Sequence, residues 1–145
     1  MTTEMTFEMQ ELMSTLKPYM VTDWRVKLCA PGFPNGILEG MCRFTPDLCR
    51  TLLDTRNPRN RALHPRKVSK LRNAMREGRW NPSLPDSTAV FGKDGNIKNG
   101  QHRLAASRDE EVAFVSRIEM GHDNEILIHL DQTEPRTEIQ QAKIL

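Results

Sequence analysis

The residues best equipped for chemistry lie in one short run, Lys98-Asn99-Gly100-Gln101-His102-Arg103, between an Asp94-Gly95 turn and Leu104-Ala105-Ala106. The run offers a glycine, two amides, an imidazole and a guanidinium where a helix is expected to begin. The first N–H groups of a helix have no partner within it, and its aligned peptide dipoles favour an anion there. With Asn99 as the cap, Gly100 would admit a phosphate close to the backbone. Arg103 could fork onto its oxygens, with Lys98 and His102 adding positive charge on either side. His102 is placed to give that group a proton or a hydrogen bond. The same spacing also describes an ordinary Asn-Gly turn followed by an exposed arginine, because short glycine motifs match often by chance.

The second feature is charge. The chain carries +2 in all, yet nine Lys and Arg residues from Arg56 to Arg79 stand against the single acid Glu77. Arg66, Lys67, Lys70, Arg72 and Arg76 could neutralise phosphates of a nucleic acid, a contact weakened by salt. The plain alternative is a solvated helix face, and Trp80 is the one aromatic residue there that could stack a base. His122 and His129 with Asp123 and Asp131 match no zinc spacing. Cys29, Cys42 and Cys49 are odd in number and contain no C-x-x-C pair, which argues against a disulfide framework and a zinc ribbon.

The elements that must position these residues follow from periodicity. Phe7, Leu12, Met13 and Leu16 suggest an amphipathic helix within residues 5–20. The loop-like "CAPGFPNG", Cys29 to Gly36, closes an N-terminal arm of residues 1–36, leaving a core domain of residues 37–145. "ILEGMCRF" reads as a strand, and Thr45 with Pro46 and Asp47 opens a helix whose apolar side is Leu48, Leu52 and Leu53. A second helix is expected from Pro65 to Glu77, stopped by Gly78, with Val68, Leu71, Ala74 and Met75 on one stripe. Thr88–Phe91 and Ile97–Lys98 form a hairpin, the Asn99 helix follows, Val112–Ile118 is a further strand, and a short apolar run 126–130 comes before a polar tail. No apolar run approaches the roughly 20 residues of a membrane span. The start "MTTEMTFEMQ" lacks the basic and apolar parts of a secretory signal, so the expected compartment is the cytosol.

"DGNIKNGQHRLAA", Asp94 to Ala106, resembles the central motif of the ParB/sulfiredoxin superfamily, most closely its small phage and plasmid ParB-like nuclease proteins, with Asn99 where aspartate is usual. Two further blocks are similar and in the same order: "NRALHPRKVSKLRNAMREGRW" from Asn60, and "LDQTEPRT" from Leu130. The resemblance implies a small α/β domain of the α+β kind, a compact mixed sheet flanked by helices. It also implies phosphate binding by Gly100, Gln101, His102 and Arg103, with Asn60, Arg61, Arg136 and Thr137 in the flanking blocks. A nucleoside triphosphate, ATP or CTP, would be the ligand, DNA the partner, a homodimer the assembly, and Asp131 the candidate magnesium ligand. If the chain is an enzyme, His102 and Arg103 would serve nuclease-like or nucleoside-triphosphatase-like chemistry. Gln101 stands where sulfinic acid reduction needs a cysteine, so that reaction is not expected. The partition proteins' helix-turn-helix block has no counterpart here, which sets plasmid segregation aside as an expectation. The rival expectation is a non-catalytic module that binds DNA or a host factor, with residues 1–36 as its partner-binding part.

Overall fold

The computed structural model describes residues 5–27, 36–57, 63–79 and 88–122. The expectations resting on Asn60, Arg61, Trp80, Asp123, His129, Asp131, Arg136, Thr137 and the run 126–130 lie outside the described residues. In chain order the elements are α1 (Phe7–Leu16), a 3-10 turn (Lys17–Tyr19), β1 (Arg25–Lys27), β2 (Ile37–Phe44), α2 (Pro46–Thr55), α3 (Pro65–Arg76), β3 (Ala89–Gly92), β4 (Ile97–Asn99), α4 (Gln101–Glu110) and β5 (Phe114–His122). The five strands form one sheet in the order β1-β2-β5-β3-β4. Its β1–β2, β2–β5 and β3–β4 pairs are antiparallel and β3–β5 is parallel, so the sheet is mixed and the fold is of the α+β class. Parallel neighbours need a crossover. Here β4 and α4 together make it.

Local chemistry sets most boundaries. Thr45 caps α2 by accepting the Leu48 N–H at 3.1 Å, and Pro46 takes the first helical position. α3 stops at Arg76, and Gly78 follows at a left-handed φ of 70°. In β2 and β5 the side chains alternate: Leu38, Cys42, Phe44, Phe114, Ile118 and Met120 are buried, while Arg43 and Arg117 are exposed on the opposite face. Phe44 and Phe114, register partners across the two strands, stack with centroids 5.1 Å apart. Each such large apolar side chain contributes roughly 1.5–3 kcal/mol by leaving water.

The stretch read from sequence as an arm supplies both a helix and a strand. Met9, Leu12 and Leu16 of α1 are fully buried in the same core as Phe44 and Phe91, whereas Phe7 is 68% exposed and off the expected stripe. Thr6 Oγ1 donates to the Lys93 carbonyl at 2.6 Å, tying the start of α1 to the β3–β4 turn. β1, with no sequence signal of its own, adds to the sheet edge through Val26 opposite Leu38.

Candidate functional site

One residue separates β4 from α4. Gly100 takes φ 107° and caps the helix, its carbonyl receiving the Leu104 N–H at 3.1 Å. This corrects the expectation that Asn99 is the cap: Asn99 ends β4, and its Nδ2 lies 3.4 Å from the Thr88 carbonyl. A Cβ on Gly100 would sit 3.4 Å from Ala89 Cα and from Arg103 Nη2. The backbone conformation therefore calls for glycine, while the contacts themselves are of ordinary van der Waals length.

The start of α4 lies beside the start of α3. His64 precedes Pro65 as the α3 cap, and its backbone N–H donates to His102 Nε2 at 3.1 Å, with the two rings 6.3 Å apart. An accepting Nε2 requires a neutral ring carrying its proton on Nδ1. Asn57, past the end of α2, donates from Nδ2 to Gln101 Oε1 at 3.1 Å. Consecutive residues of α4, Gln101 and His102, thus hold the chain on both sides of the 58–62 connection. The positive ends of two helices are brought together behind a strand–glycine–helix junction. Sequence reasoning missed His64 and Asn57. The Pro65 that follows His64 was a usable cap signal, whereas nothing local marks Asn57.

Two of the expected phosphate ligands are placed differently from expectation. Arg103 is 8% exposed, and its Nη2 donates to the Thr88 carbonyl at 3.0 Å. It braces the junction from beneath, where an open fork was expected. Lys98 is 7% exposed and holds Asp94 Oδ2 at 2.9 Å, so its ammonium is neutralised by the hairpin carboxylate. On α3, Arg66 and Lys70 are exposed and Lys67 is half-buried. Arg72 and Arg76, expected to meet nucleic acid, instead converge on Glu110 of α4 at 3.0 and 2.7 Å. Hydrogen bonds from Arg76 and then Arg72 hold the Glu110 carboxyl down to about 2, against an ordinary 4.5. These pairs lock α3 to α4.

Among the described residues no group of three His, Cys, Asp or Glu side chains is arranged to hold a metal. The junction offers amides and imidazoles, a poor match for magnesium, which is held through carboxylate and phosphate oxygens. No family model matches the chain, and no curated protein or solved structure matches it significantly.

Proposed function

We propose that the chain binds a phosphate group of a nucleotide or nucleic acid where α3 and α4 begin together. The observation that carries this reading is the 3.1 Å contact from the His64 N–H to His102 Nε2, which brings two helix N-termini side by side at the Gly100 junction. Helix dipoles and first-turn amides favour an anion at such a place. Gly100, itself buried, supplies the positive φ that turns β4 into α4, Gln101 and His102 fix the geometry, and Arg66, Lys67 and Lys70 extend the positive surface along α3 toward further phosphates. The motif resemblance to ParB-like proteins points the same way, with ATP, CTP or DNA as the phosphate carrier and Asn60, Arg61, Arg136 and Thr137 as further ligands.

The placement of Arg103 favours a binding module over an enzyme. A guanidinium that stabilises a transferring phosphoryl group has to reach it, and this one is anchored on Thr88. Arg103 then acts as a positioning residue. The test is fluorescence anisotropy with labelled ATP, CTP and a short DNA duplex, with and without magnesium, on the native chain and on Gly100→Ala and Arg66→Glu/Lys70→Glu. Binding weakened by Gly100→Ala for every phosphate ligand, and by the α3 variant chiefly for DNA at low salt, is expected. Indifference of all three ligands to Gly100→Ala would remove the site. Magnesium-dependent phosphate release or plasmid nicking, lost in Arg103→Ala, would restore the enzyme.

A further inference from the structure

The outer face of the sheet carries charge that the fold does not use. On β2 and β5 the residues facing away from the core are Glu39, Met41 and Arg43, opposite Glu119, Arg117 and Val115 respectively. Arg25 Nε meets Glu39 Oε1 at 2.7 Å, and Lys27 Nζ meets Glu119 Oε2 at 3.1 Å. Glu119 also holds His122 Nε2 at 2.8 Å. Both carboxylates are therefore satisfied by β1 and by the end of β5. Arg43 and Arg117 remain: both are exposed, and among the described residues neither guanidinium has an ion pair or hydrogen bond. Half-buried Met41 and Val115 lie between them. The loop at Thr22 and Asp23 rims this face, leaving an open trough of about 520 Å³ along Met41 and Arg117.

We propose that this face docks an acidic, extended peptide segment of a partner protein. Arg43 and Arg117 are diagonal neighbours on an antiparallel pair, a separation of roughly 7–8 Å. Alternate residues of an extended peptide lie roughly 7 Å apart, at about 3.3–3.4 Å per residue. Two carboxylates at positions i and i+2 can therefore meet the two guanidiniums in charge-assisted, bidentate contacts. Where those two residues are glutamates, their methylene stems lie over Met41 and Val115, because the residue between them points away from the sheet. A nucleic-acid backbone suits the face less well, because Arg25, Lys27 and Arg117 share the trough with Asp23, Glu39 and Glu119, so it offers no continuous positive track to a run of phosphates, whereas a peptide carries its charges singly.

The experiment titrates the full chain with a blocked, fluorescein-labelled hexapeptide alternating Glu and Val. Its Gln-for-Glu counterpart and a single-stranded oligonucleotide of matched charge serve as comparisons. The acidic peptide binds, the neutral one binds about tenfold or more weakly, and Arg43→Glu/Arg117→Glu abolishes binding, since each charge-assisted contact is worth about a factor of ten or more. Both positions are exposed, so circular dichroism and melting of the double variant stay native. Independently of any variant, peptide added to the native protein shifts the amide resonances of Met41, Arg43, Val115 and Arg117. Absence of binding, equal binding of the neutral peptide, or equal binding by the charge-reversed protein overturns the proposal. So does oligonucleotide binding that disappears in the same double variant, which assigns the face to nucleic acid. Phosphate binding at the α3–α4 junction is unaffected by these substitutions, so the failure of one site is distinct from the failure of the other.

Discussion

Replacing Gly100 by alanine tests how the junction is built. Gly100 sits at φ 107°, and a new Cβ would touch Ala89 Cα and Arg103 Nη2 at 3.4 Å, ordinary contacts that add little strain. The penalty is chiefly conformational: an L-residue at positive φ costs roughly 1–3 kcal/mol. Removing a glycine from the unfolded chain returns about 0.4–1 kcal/mol. A net loss of about 1–2 kcal/mol follows, which lowers the melting temperature by about 2–8 °C at about 2–4 °C per kcal/mol for a domain near this size. Gly78 is the control. It lies at φ 70°, where an added Cβ would meet no atom within 4 Å, close to the left-handed minimum near +57° that other residues visit at lower cost. Urea unfolding of both variants, followed by circular dichroism, should rank Gly100→Ala clearly below Gly78→Ala. If Gly100→Ala is as stable as the native chain, or no worse than Gly78→Ala, the strained junction is refuted.

Other outcomes follow from the packing and the ion pairs. The lowered Glu110 carboxyl contributes stability that is fully present above about 4.5 and is lost as pH falls toward about 2; Glu110→Gln should flatten the melting temperature across that window and leave its pH dependence above pH 6 unchanged. Leu52 is fully buried in the core, so Leu52→Ala should cost about 2–5 kcal/mol in chemical denaturation. Burial pushes the Cys42 thiol up to about 12, with the neighbouring Cys49 adding to the effect, and burial pushes Cys49 up to about 11 against a hydrogen bond with Ser107. Iodoacetamide at pH 8 should therefore spare both in the native protein and modify both in urea, as read by peptide mass mapping.

What the sequence made legible was local. The Thr45-Pro46 cap, the Gly78 stop, the Asp94-Gly95 hairpin and the strand at Ile37–Phe44 each depend on neighbours a few residues away, and each stands where it was expected. What it hid was set by distant partners. β1 is a strand because β2 offers it an edge; its own three residues, Arg25-Val26-Lys27, are too short a run to carry a strand signal. Gly100 displaced Asn99 from the cap because β4 extends one residue further to pair with Val90. A composition-based reading could count the cations of α3 but not see that Glu110, 34 residues beyond Arg76, claims two of them. In the sequence Arg103 has the marks of a ligand because arginines after a glycine loop are good anion donors; its burial against Thr88 depends on β3 lying beneath the helix start.

Backbone amide shifts report directly on phosphate binding at the shared start of α3 and α4. In a ¹H–¹⁵N correlation spectrum of the native chain titrated with inorganic phosphate, ATP and CTP, the amides of Gly100, Gln101, His102 and His64 should move first and saturate together. Shifts confined to other surfaces, or none at any ligand concentration reached, would contradict the claim.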